Sequence, residues 1–204
     1  MKKLYPLFLT LLFLAGCSSE QGKPAGPPKP KEPELLTGRS AFQKMYIQAR
    51  SWAPDAKPFR LESQVNKDSN GHDGKAAVWR GSFASPSKGS IKPFVWSGTD
   101  SSDAPSRGLS PGTEDSYSET NSNTKIFDVS FMKVDSDKAF EEAQKHGGNK
   151  VLANNPNLPV FYIADWRGSE NELIWHVIYG NDRDSAKLKV AINASTGQFL
   201  NVEK

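Results

Sequence analysis

Apolar residues recur along the chain in two rhythms, one of three to four residues and one of two. Phe42, Met45, Tyr46 and Ala49 follow the i, i+3, i+4, i+7 spacing of a buried helix face. Ser40 stands where a cap belongs and Pro54 where a helix has to have stopped, so the spacing predicts a helix over 40–52. Alternating and aromatic-rich runs then predict strands over 59–65, 76–83 and 91–98, separated by turn residues. Residues 99–123 are dominated by Ser, Asp, Gly, Pro and Thr, with little apolar besides Leu109 and Tyr117, and read as a long mobile loop. Phe127, Val129 and Phe131 alternate with Asp128 and Ser130, which predicts a half-buried strand. A second helix starts at Asp135, presents Ala139, Phe140 and Ala143 on one side, and stops at Gly147-Gly148, where left-handed backbone is sterically free. Strands over 160–166, 172–179 and 186–193 follow. In the last, Ala186, Leu188, Val190 and Ile192 face one way and Lys187, Lys189 and Asn193 the other, as in a sheet covered on one side.

Helix followed by three antiparallel strands thus occurs twice, which predicts an α+β fold of two halves. Ala41-Phe42 recurs as Ala139-Phe140 at an offset of 98, and Trp79 as Trp175 at an offset of 96. The second half joins the helical Ala139 to Ala143 to Leu173-Ile174-Trp175-His176-Val177 and then to Val190-Ala191-Ile192-Asn193-Ala194-Ser195-Thr196-Gly197-Gln198-Phe199. In that order these segments resemble a PepSY domain, a small helix-on-sheet unit of the PepSY/cystatin-like kind. The resemblance implies regulation of secreted proteases or binding at the cell envelope. It covers 135–204, and the first half joins it only through the weak repeat. Asn193 stands where the family commonly has an acid. In the turn, Asn193 can accept backbone hydrogen bonds and Gly197 permits positive φ, so Asn193, Thr196 and Gly197 have a structural task.

The N-terminus carries a different pattern. Lys2 and Lys3 precede an uncharged run, Leu4 to Leu14, that is too short to span a bilayer, which needs roughly 20 apolar residues. It ends in Leu14-Ala15-Gly16-Cys17, followed by Ser18-Ser19, and in this it resembles the signal of bacterial lipoproteins. The resemblance implies removal of residues 1–16 and a lipid on Cys17, the only cysteine. Such proteins usually carry three acyl chains, and two or more make attachment durable. The thiol would be a thioether, leaving no cysteine for a disulfide. Ser18, where Asp commonly signals inner-membrane retention, implies the periplasmic face of the outer membrane in a two-membrane bacterium. In a one-membrane bacterium the same signal implies the outer face of the cell membrane. Gln21 to Glu34 is rich in Pro, Gly and Lys and favours extended polyproline conformation, so 17–36 reads as lipidated cysteine plus tether. The expected organisation is 1–16 leader, 17–36 tether, 37–134 first half with its loop at 99–123, and 135–204 second half.

Charge changes the picture little. The 26 Lys and Arg against 23 Asp and Glu fall to an excess of one once Lys2 and Lys3 leave, and no basic stripe with interleaved aromatics marks a nucleic-acid surface. Gly108-Leu109-Ser110-Pro111-Gly112 fits the Gly-x-Ser-x-Gly elbow of hydrolases, but Pro111 has no amide hydrogen to bind an oxyanion. Asn66-Lys67-Asp68-Ser69-Asn70-Gly71 resembles half a calcium loop, yet Ala77 occupies the position of the bidentate carboxylate. His72, His146 and His176 lack the spacing of a metal set, and no cofactor is implied. Among five tryptophans, Trp96 and Trp166 sit near strand ends beside glycine and are the candidate binding aromatics. The expectation is a non-catalytic, membrane-anchored envelope protein that binds or regulates a protein or peptide. A glycan-binding module and a hydrolase with dispersed residues are the alternatives.

Overall fold

The computed structural model describes residues 31–203, so Cys17 and the leader lie outside the described residues. The first half runs β1 (Leu36–Thr37), α1 (Gly38–Trp52), β2 (Lys57–Ser63), β3 (Lys75–Ala76), β4 (Val78–Ser85), β5 (Ser90–Ser97), β6 (Gly108–Pro111) and β7 (Asp115–Ser116). The second runs α2 (Ser136–Ala143), α3 (Asn149–Asn154), β8 (Val160–Arg167), β9 (Glu172–Tyr179), β10 (Leu188–Asn193) and β11 (Phe199–Val202). This is an α+β fold. Eight strands form one antiparallel sheet in the order β11-β10-β9-β8-β2-β4-β5-β6, with β7 added on β5, while β1 and β3 pair separately.

The order is a palindrome about the β2–β8 seam, each half contributing a helix and a four-stranded meander. Pairing follows the same rule: Trp79 faces Trp96 across β4–β5, and Trp175 faces Ile192 across β9–β10, each residue 96 positions from its counterpart. The Trp79 indole N–H donates to the Leu36 carbonyl and the Trp175 indole N–H to the Val134 carbonyl, both at 2.9 Å. The two rings meet edge to face, 6.4 Å apart, at the centre of one continuous core that takes Phe42, Met45 and Phe83 from one half and Ala139, Tyr179 and Ile192 from the other.

Several expectations change. α1 begins at Gly38, with Thr37 rather than Ser40 at the cap position, and its first amides are satisfied from the other half. The Gly38 N–H donates to Ser136 Oγ and the Arg39 N–H to Asp135 Oδ1, both at 2.8 Å. Asp135 also caps α2, accepting from the Ser136 N–H at 2.7 Å. α2 ends at Ala143, and a π-helical turn over Gln144–Gly148, in which Gly147 has φ 108°, leads the chain into α3, which the sequence pattern did not predict. Residues 125–131 are no strand: Phe127 is buried by its amide's bond to the Pro58 carbonyl, and a 3-10 turn over 129–131 follows. The loop at 99–123 contains β6 and β7, which bond the edge of β5 by backbone alone and so need no apolar side chains. Leu36 and Thr37 join the sheet pair with β3, and Arg107 Nη2 donates to the carbonyls of Lys31 and Glu32, so the end of the tether is bound to the fold. Finally, the sheet is not one-sided: on β9, Ile174, His176 and Ile178, which alternate with the core-facing Trp175 and Val177, are buried too.

Candidate functional site

That second face carries the molecule's charged cluster. β2 and β8 pair over only three residues, Arg60 with Asp165, Leu61 with Ala164 and Glu62 with Ile163. Because side chains alternate along a strand, Arg60, Glu62, Asp165 and Arg167 project to the same side as His176 of β9. Glu203, just beyond β11, reaches the same group.

His176 is 3% exposed and bonded at both ring nitrogens, Nδ1 to Glu203 Oε2 at 2.8 Å and Nε2 to Asp165 Oδ1 at 3.0 Å. An ionised carboxylate only accepts, so with both carboxylates ionised the ring bonds both of them only as an imidazolium. Burial works against that charge, but the hydrogen bonds and negative charge of Asp165 and Glu203 outweigh it and raise the His176 pKa. Burial likewise pushes the two carboxyls up. The bond and charge of His176, helped by Arg60 and Arg183 at Asp165 and by Arg183 and Arg167 at Glu203, leave both below their ordinary range. Arg60 donates from Nε to Glu62 at 2.8 Å and from Nη1 to Asp165 at 3.3 Å, and Arg167 Nη2 donates to Glu203 at 2.7 Å. An imidazolium donating twice has no lone pair with which to accept a proton from a substrate.

Where the three-residue seam ends, at Arg60 and Asp165, the strands part and leave a pocket of about 250 Å³. Its lining is mostly polar, made by Arg60, Ser122, Asn123, Lys125, Asp165 and Arg183 together with Phe59 and Trp166.

The sequence candidates are distributed unevenly about this site. Trp166 is half-buried, packs edge-on against Phe131 at 5.0 Å and lines the pocket. Trp96 is 4% exposed and packed in the core, so it offers no binding surface; its strand-end position lies under the chain at Glu34, whose N–H donates to the Gly98 carbonyl. Asn193 Oδ1 accepts from the amides of Ser195 and Thr196 at 2.8 and 3.0 Å, and Gly197 has φ 79° in the turn. Ser110 lies on the edge strand β6, with no helix after it. In the Asn66 loop, Asp68 accepts from Thr99 Oγ1, and Asn66 Oδ1 accepts from the Asp68 amide. His72 Nε2 bonds the Leu158 carbonyl at 2.7 Å, and His146 stacks on Phe199. The sequence marks His176 as a lone polar side chain in the apolar run Leu173–Tyr179, mirrored by Asp165 in β8.

No protein-family model matches the chain, and no curated protein sequence matches it. Among solved structures the fold is similar to the crystal structure of a Clostridium difficile 630 protein provisionally described as a lipoprotein, with a TM-score of 0.53. The match covers 80% of this chain and 91% of that one, at 12% identity. At that identity the likeness is one of fold, the α+β architecture described above.

Proposed function

We propose that the chain is a lipid-anchored protein of the bacterial cell envelope whose folded part binds a protein or peptide and catalyses nothing. The anchor rests on Cys17 at the end of its small-residue run, with the Pro-rich stretch behind it. The similarly folded Clostridium difficile protein is in keeping with this. The outer-membrane, periplasm-facing address follows from Ser18 on the same reading, and residues 135–204 are taken as PepSY-like in kind. The observation that carries the binding role is the pocket at the end of the β2–β8 seam, set beside a histidine whose proton-accepting positions are both occupied.

Two measurements test this. Cells expressing the full chain and fed radiolabelled palmitate should label it in the membrane fraction, and Cys17→Ala should abolish the label. A photo-crosslinking residue at position 166 should capture a discrete envelope protein or peptide, whereas one at Lys44 on the exposed side of α1 should not. An unlabelled, cytosolic wild type overturns the anchor. Identical capture from both positions overturns the binding surface.

A further inference from the structure

We propose that the seam pocket captures the free C-terminal carboxylate of a peptide. The inference rests on the binding role above and names its ligand.

Three cations, Arg60, Lys125 and Arg183, surround the pocket against one carboxylate, Asp165. That carboxylate is already committed, accepting from His176 at 3.0 Å and from Arg60 at 3.3 Å. Arg60 is spent in the same way on Glu62 and Asp165. The other two are held less tightly. Arg183 comes no closer to an acid than 3.8 Å, to Glu203, where a charge-assisted hydrogen bond spans roughly 2.7–2.9 Å. Lys125 makes no ion pair among the described residues. Cations outnumber carboxylates around the concavity, and a guanidinium fork matches the planar, two-oxygen geometry of a carboxylate.

Size and walls narrow the ligand further. A pocket of about 250 Å³ is small for a drug-sized ligand, which takes roughly 300–1,000 Å³, and suits one terminal residue instead. The lining is mostly polar, and Ser122 and Asn123 can bond the peptide group preceding the carboxylate.

The experiment uses the full chain in detergent and a fluorescein-labelled Gly-Gly-Phe peptide, followed by anisotropy in low salt. The free acid should bind saturably, and its C-terminal amide, differing only in lacking the negative charge, at least tenfold more weakly. Arg183→Ala with Lys125→Ala should weaken the acid tenfold or more, and Lys125→Ala alone should weaken it with the unfolding midpoint unchanged, because Lys125 makes no ion pair among the described residues. Equal binding of acid and amide overturns the proposal, as does equal binding to wild type and double variant. Acetate or inorganic phosphate displacing the peptide as well as unlabelled Gly-Gly-Phe does at the same concentration would show a site for simple ions and overturn the peptide assignment. These failures leave palmitate labelling and crosslinking from position 166 untouched, so they are distinguishable from failure of the anchor or of the binding role.

Discussion

His176 shows how much one polar side chain can impose on a sheet. Its imidazolium neutralises two carboxylates that burial alone would push toward protonation, and each carboxylate in turn holds an arginine. The raised His176 pKa contributes stability that is complete below the ordinary value of 6.5 and is lost as pH rises through the folded-state value. The lowered Asp165 and Glu203 contribute stability that is present above their ordinary 3.8 and 4.5 and lost as pH falls through the folded values. The triad therefore stabilises most between about pH 4.5 and 6.5, and the arginines around it do not titrate in that range. Thermal midpoints measured across pH should peak there and decline on both sides. Removing the ring in His176→Ala leaves two partly buried carboxylates with only their arginine partners and should cost about 3 kcal/mol at pH 6, and it should remove the alkaline decline. A variant that keeps that decline assigns it to another group. Of this site, the sequence discloses His176 and Asp165 as lone polar residues in apolar strands. Glu203 is hidden, since its approach depends on the register of β10 and β11, where a shift between Ala191 and Ile192 sets which side the chain end reaches.

Among the elements, the helix starts are the point at which the halves check each other. Asp135 accepts the Arg39 amide in the first turn of α1 and the first amide of α2, and Ser136, buried beside it, accepts from Gly38 and donates to the Gly74 carbonyl at 2.5 Å. An N-cap is worth roughly 0.5–2 kcal/mol, and this one serves two helices. Asp135→Ala should therefore lower stability by about 2 kcal/mol, read as a shift of the urea midpoint with the slope unchanged. A loss confined to a few tenths would show that water replaces the side chain at one helix. Gly38, the residue capped from across the molecule, has no space for a side chain: a Cβ there would lie 2.6 Å from Trp175 and 3.1 Å from Trp79. These contacts explain which elements could be read in advance. β9 coincides with its predicted span, and α2 starts at its predicted cap, because both are fixed by neighbours along the chain. The start of α1 was placed at Ser40 because its actual partners lie 96 and 98 residues away. β6 and β7 escaped because edge pairing to β5 uses backbone groups that no composition discloses, and the alternation at 127–131 reflects local burial of Phe127 without a neighbouring strand.

At the scale of the whole molecule, the two halves have no separate interiors. Each is a helix on a four-stranded meander, yet the fully buried Trp79 and Trp175 pack against each other. Tyr162 of the second half stacks on Trp79 of the first at 6.1 Å, and its hydroxyl donates to the Gly71 carbonyl. Cutting the chain at 134 would strip α1 of its capping groups and expose one face of each tryptophan, while opening β2 and β8 into unpaired edges. Half a sheet with one short helix buries too little apolar surface to offset its conformational entropy. The full chain should accordingly unfold in one calorimetric transition, its van't Hoff and calorimetric enthalpies equal within error. A fragment of residues 135–204 alone should show red-shifted Trp175 fluorescence and no cooperative melt, and mixing it with a fragment of 31–134 should restore both. A dispersed spectrum and a sharp transition from the isolated fragment would mean that the Trp79–Trp175 contact joins two finished modules, and the palindromic sheet would then be an assembly of domains instead of a single folding unit.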